Sequence, residues 1–175
     1  MTTPLAVVVM GVSGTGKSSV AELLSKRLGI DFIEGDEYHP EANIAKMSEG
    51  IALTDEDRWP WLQILADLAH ERSEAGESLL LTCSALKRSY RDMLRSGVPD
   101  GRMFFVHLDA NLDVLTDRME HRTKHFMPTS LLHSQVETLE PLEDDEIGCV
   151  VDVAAPLDVV AANAEAAIRA VIPRP

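Results

Sequence analysis

Gly11-Val12-Ser13-Gly14-Thr15-Gly16-Lys17-Ser18 has the spacing G-x-x-x-x-G-K-[ST] and follows the apolar run Leu5 to Met10 directly. Glycines at those positions let backbone N–H groups turn inward around an anion, and the helix that follows presents its positive end to the same charge. The pattern points to a nucleoside triphosphate. Gly11, Ser13, Gly14, Thr15, Gly16, Lys17, Ser18 and Ser19 form the phosphate-binding set, with Lys17 reaching the β- and γ-phosphates and Ser18 ligating Mg²⁺. Phosphoryl transfer also needs a group that orients or deprotonates the acceptor, cations near the transferred phosphoryl, and exclusion of water. Asp36, just past the strand-like Ile30 to Glu34, can take the proton of an acceptor hydroxyl, although a turn aspartate after Gly35 would give the same sequence. Glu34 can hold Mg²⁺ through water, since that ion keeps several waters and needs few protein ligands.

Arg118 and Arg122 lie four apart on one helix face, where one guanidinium can stack on adenine and the other can face the phosphates. A solvated face around Glu120 accounts for the same pair. Thr123 to Pro128 reads as a lid, spanning about 122–136 in all, with His125 either meeting the substrate or packing. The acceptor pocket draws on Asp36, His39, Arg58, Ser84, Lys87, Arg91 and His125, a mixture of acids, hydroxyls and cations that suits a hydroxylated, anionic small molecule. Arg58, Lys87 and Arg91 are equal candidates for its carboxylate, the arginines by a bidentate grip that lysine lacks. Trp59 and Trp61 either wall this pocket or pack, and His107, inside an apolar strand, reads as a core histidine.

The elements that must position these groups alternate strand and helix. Strands are expected at Leu5 to Met10, Ile30 to Glu34, Ser78 to Cys83, Met103 to Leu108 and Cys149 to Val153. Helices are expected at Lys17 to Leu28, Asn43 to Ser48, Asp55 to Ala75 with Thr54 as cap, Lys87 to Arg95, Leu112 to Glu120 and Leu157 to Val171. That order predicts an α/β fold with a five-stranded parallel sheet covered by helices on both faces, whose ligands bind beyond the carboxyl ends of the strands. The polar clusters fall at those ends. Arg122 to Asp145, with its acid run Glu143 to Glu146, reads as the mobile stretch.

A chain of 175 residues, 45% hydrophobic, fits one domain with a real core. A net charge of −13 disfavours nucleic acid and anionic membranes, leaving a small molecule as the expected partner. The chain has no long apolar span, and Met1 to Pro4 lacks the blocks of a signal peptide, so a cytoplasmic setting is expected. Cys83 and Cys149 are expected as buried, unpaired thiols.

Three motifs carry a resemblance. Gly35-Asp36-x-x-His39-Pro40-x-x-Asn43-x-x-Lys46-Met47-x-x-Gly50, then Leu53-x-Asp55-x-Asp57-Arg58-x-Pro60-Trp61-Leu62, then Cys83-Ser84-Ala85-Leu86-Lys87-x-x-Tyr90-Arg91-Asp92 resemble the bacterial P-loop gluconokinases. Arg118-x-x-x-Arg122-x-x-His125-Phe126 and Gln135-x-x-Thr138-Leu139-Glu140-Pro141 fit the same family, while Ala52 stands where the family often has proline. The resemblance implies a three-layer P-loop kinase fold with a small lid, similar to shikimate and adenylate kinases. It implies transfer of a phosphoryl group from ATP, with Mg²⁺, to the 6-hydroxyl of D-gluconate. Lys17, Asp36 and Arg122 would then be catalytic, Ser18 and Glu34 would hold the metal, Arg118 and Pro156 would flank adenine, and the chain would form homodimers. A kinase for another acceptor, such as shikimate or a nucleoside monophosphate, keeps the nucleotide residues and changes only the pocket. An ATP-sensing switch would have little use for the acceptor cluster.

Overall fold

Apolar residues on both faces of a strand require cover on both sides of the sheet, and the chain meets that requirement with helices. A computed structural model describes residues 4–120 and 130–171, with side chains for all of these but 118–120 and 130. Its strands are β1 (Ala6–Met10), β2 (Asp31–Glu34), β3 (Leu79–Thr82), β4 (Met103–Asp109) and β5 (Gly148–Asp152), in the order β2-β3-β1-β4-β5 with every pairing parallel. The helices are α1 (Lys17–Leu28), α2 (Glu41–Ser48), α3 (Asp55–Glu74), α4 (Arg88–Arg95), α5 (Leu112–Glu120), α6 (Ser130–Thr138) and α7 (Leu157–Val171).

Successive strand residues point to opposite faces. Val8, Met10, Leu79, Leu81 and Phe105 meet Trp61, Leu62 and Leu65 of α3 and Tyr90 and Leu94 of α4, with Leu115 of α5 and Leu132 of α6 joining them. Val7, Val9, Leu80, Phe104 and Val106 meet Val20, Ala21 and Leu24 of α1 and Val160, Ala164 and Ile168 of α7. The three-layer expectation holds. Among the described residues no helix is long and apolar enough to cross a membrane. Cys83 and Cys149 are free thiols, and burial pushes Cys83 up to about 12.

Local chemistry fixes the ends of the elements. Thr54 caps α3 by accepting from the Asp57 N–H at 3.1 Å, while the Asp57 carboxylate accepts from the Thr54 N–H at 2.9 Å. Gly35 lets β2 end against β3, because a Cβ there would lie 1.9 Å from the Thr82 carbonyl oxygen.

Within the stretch read as mobile, the described residues from 130 onward hold α6, and Leu131 and Leu132 are buried. The acid run is gripped by α4: Arg88 reaches Glu143 at 2.6 Å and Asp145 at 2.5 and 2.8 Å. Glu146, with a fully buried side chain, receives Arg91 at 2.7 and 2.9 Å and Arg95 at 2.9 Å. Just upstream, the Glu140 N–H donates to the Leu86 carbonyl at 2.6 Å and its carboxylate accepts from the Arg88 N–H at 3.0 Å, satisfying the first turn of α4.

Candidate active site

The phosphate loop joins β1 to α1 at the carboxyl edge of the sheet. Gly14 and Gly16 both have φ +88°, and Gly16 is the left-handed residue immediately before α1. A Cβ at Gly16 would meet nothing within 4 Å, so the backbone here opens onto space rather than onto protein. Gly14, Thr15, Gly16 and Ser19 line a cavity of about 450 Å³ whose far side is Asp117 of α5 with Ala155 and Leu157, the neighbours of Pro156. Lys17 Nζ donates to the Gly11 and Val12 carbonyls at 3.0 and 3.2 Å, holding its ammonium over the loop.

Ser18 and Glu34 come together as their proposed metal role requires. The Ser18 hydroxyl donates to Glu34 Oε2 at 2.5 Å, and the Thr82 hydroxyl donates to the other carboxylate oxygen. One hydroxyl and one anchored carboxylate beside a phosphate loop suit a hard cation that takes its remaining ligands from phosphate and water. These donors and the open loop backbone fit Mg²⁺ and a nucleotide.

The acceptor side is a cleft lined by Ser13, Lys17, Asp36, His39, Arg58 and Ser84, with Met47, Leu53 and Trp61 behind them and Leu131, Ser134 and Gln135 of α6 above. The room left inside is about 30 Å³. His39 stacks on Trp61 at 3.9 Å between ring centroids, and the Trp61 Nε1–H donates to the Gly35 carbonyl at 2.8 Å. Trp61 therefore packs and also backs the cleft. The Asn43 amide nitrogen donates to the Asp57 carbonyl at 2.9 Å and contacts His39 Nδ1 at 3.2 Å. That amide orientation makes Nδ1 an acceptor and leaves the proton on Nε2, which faces Asp36 Oδ1 at 3.8 Å. Burial lowers the His39 pKa to about 4 against the pull of Asp36, so the ring is neutral at neutral pH.

Of the candidate carboxylate grips, only Arg58 lines the cleft. It is buried, and its Nη1 donates to the Tyr90 hydroxyl at 2.9 Å. Lys87 is instead drawn to Asp55, at 3.1 and 3.3 Å. Arg91 is corrected outright: its guanidinium is spent on Glu146 and on the carbonyls of Ala85, Leu86 and Pro141, with no surface exposed. The physical reason is the buried carboxylate of Glu146, 55 positions away, and nothing near Arg91 in sequence signalled it. His107 is the core histidine expected, with both ring nitrogens buried without a hydrogen-bond partner and its pKa lowered by burial. Arg118 sits on α5, but its side chain lies outside the described residues, as do Arg122, His125 and the first part of the expected lid.

Residue types alone did not single out Gln135. Its side-chain oxygen accepts from the Ser13 N–H at 2.7 Å, tying α6 to the phosphate loop. Tyr90, which supports Arg58, was equally silent outside the motif that contains it.

A phosphate loop at the sheet edge, with a carboxylate and a guanidinium facing it across a cleft, defines a P-loop phosphotransferase. Residues 7–140 match a family model described as an AAA domain. A gluconokinase of Gluconobacter oxydans is 54% identical over 143 residues, 82% of this chain and 79% of that protein. The crystal structure of a gluconokinase from Sinorhizobium meliloti superposes with a TM-score of 0.86 at 50% identity, covering 98% of this chain and 95% of that one. An unliganded sugar kinase from a Janibacter species superposes at 0.91 with 48% identity, covering 98% and 99%. The chain belongs to the gluconokinase family.

Proposed function

We propose that this chain phosphorylates D-gluconate at its 6-hydroxyl, using Mg-ATP and giving 6-phosphogluconate and ADP. The observation that carries the reading is Arg58: a buried guanidinium, bonded to a neutral phenol, that shares one cleft with Asp36 and Lys17. A buried cation is costly unless an anion meets it, and the carboxylate of a sugar acid is that anion. When bound, Mg-ATP supplies the γ-phosphoryl group and the metal's charge.

The chain's own residues do the rest. Asp36 accepts the proton of the acceptor hydroxyl as that oxygen becomes a nucleophile, and the neutral His39 Nε2–H beside it steadies the carboxylate. Lys17 and the amides of Gly14 to Ser19 take up the charge of the phosphates, and Ser18 and Glu34 hold the metal. Arg58 and Ser84 orient the acid from the other end of the cleft. Arg118 and Pro156 on the adenine, Arg122 on the phosphates and a lid carrying His125 belong to the same reading, as do a homodimeric assembly and a cytoplasmic setting. The cavity between the loop and Ala155 to Leu157 supports the adenine assignment.

The test is ADP release from Mg-ATP with D-gluconate, with shikimate, with a nucleoside monophosphate and with no acceptor. Selective stimulation by gluconate is expected. Stimulation by another acceptor would move the pocket assignment, and acceptor-independent hydrolysis would replace the kinase with a nucleotide switch.

A further inference from the structure

Arg58 does not meet a carboxylate of its own; among the described residues it forms no ion pair, and what orients it is one hydroxyl. Tyr90, fully buried on α4, accepts from Arg58 Nη1 at 2.9 Å, and its single proton goes to Asp55 Oδ1. Asp55 in turn is held by Lys87 through both carboxylate oxygens. The direction of this chain is fixed. A phenol has one proton, so once that proton points at Asp55, only lone pairs face Arg58.

The surroundings keep it that way. Trp59 meets the Tyr90 ring edge-on at 5.6 Å between centroids, and the cations of Arg58 and Lys87 lie 5.3 and 5.7 Å from its centre. Burial and the Asp55 hydrogen bond raise the Tyr90 pKa to about 12, so the phenol keeps its proton throughout the working range. Hydrogen bonds from Tyr90 and Lys87 keep Asp55 ionised.

We infer that Tyr90 is a positioning residue for acceptor binding: with Asp55 and Lys87 behind it, it aims the Arg58 guanidinium into the cleft while leaving that charge available for the carboxylate of the acceptor. A direct Arg58–Asp55 pair would have neutralised the guanidinium within the protein. Placing a hydroxyl between them fixes its direction and leaves its remaining donors facing the ligand. Lys87 therefore contributes to acceptor recognition without lining the cleft.

This inference rests on the gluconate reading, and the experiment separates the two. Wild type, Tyr90→Phe and Asp55→Asn are compared for KM of gluconate, KM of Mg-ATP, kcat and thermal midpoint. Tyr90→Phe keeps the ring and its packing and removes the hydroxyl, and with it both the acceptor of the Arg58 bond and the donor to Asp55. The KM for gluconate is expected to rise about tenfold, the loss of one charge-assisted hydrogen bond, with the KM for Mg-ATP unmoved. Asp55→Asn is expected to shift the same parameter in the same direction, and it carries the test if Tyr90→Phe does not fold. An unmoved gluconate KM overturns the inference, as does an equal rise in both KM values, which would mark a general loosening of the fold. If wild type shows no gluconate-dependent turnover, it is the gluconate reading that fails.

Discussion

Replacing Glu146 with glutamine tests whether the segment before β5 is held by buried charge. The carboxylate has no exposed side-chain surface and receives three guanidinium hydrogen bonds from Arg91 and Arg95 at 2.7 to 2.9 Å. The amide keeps the shape but presents N–H groups toward guanidinium donors and removes the charge opposing a fully buried Arg91. Breaking one side of a buried pair costs about 3 to 5 kcal/mol. Because Arg91 retains three carbonyl partners, the lower end applies, about 3 kcal/mol, or a fall of roughly 6 to 12 °C in Tm for a domain of this size. The pH dependence supplies a second reading. Burial alone would raise the Glu146 pKa, but the hydrogen bonds from Arg91, the Glu143 backbone and Arg95 outweigh it and bring the folded value to about 2. The unfolded value is about 4.3, so this stabilisation is complete above that pH and is lost as pH falls toward 2. The gap between wild type and Glu146→Gln should therefore be full at pH 7 and clearly smaller at pH 3. Urea denaturation at both pH values measures it. A difference below about 1 kcal/mol at pH 7, or one equal at both pH values, would refute the argument.

Other changes act on the chemistry and the sheet. Lys17→Ala should lower kcat by about a thousandfold, as for other removed electrostatic stabilisers, measured as gluconate-dependent ADP release. Asp36→Asn should depress turnover while Mg-ADP still binds by calorimetry; unchanged turnover would remove Asp36 from proton transfer. Gly35→Ala must displace β2 from β3, since the added Cβ lies 1.9 Å from a backbone oxygen. Its cost should exceed about 2 kcal/mol in urea denaturation, and near-neutral stability would show that the strands can part there.

The alternation of apolar runs and periodic segments was enough to place the layers, and α5 and α7 begin at Leu112 and Leu157, where their periodicity begins. The phosphate loop was legible because its function depends on backbone freedom, which glycine spacing encodes directly. The acceptor side was less legible because it depends on which charges neutralise one another across long sequence separations. Arg58, Lys87 and Arg91 are alike as letters. They differ only in their partners, and Glu146 stands 55 positions from Arg91. The stretch carrying the acid run read as mobile for the same reason: local composition cannot show that three arginines of α4 meet that run. Helix α6 was missed because its anchors are Leu131 and Leu132, a short apolar pair without a longer stripe.

The tightness of the acceptor cleft bears on how affinity is to be understood. The room left is about 30 Å³, well below the roughly 300 to 1,000 Å³ of pockets that enclose small ligands. Helix α6 lines the cleft with Leu131, Ser134 and Gln135, and the Ser13 N–H donates to the Gln135 side chain at 2.7 Å, so the acceptor cleft and the phosphate loop share this contact. If acceptor binding shifts α6, the two ligands are thermodynamically linked, each changing the other's affinity by the same factor. An acceptor affinity measured without nucleotide would then include that shift as well as the quality of the fit.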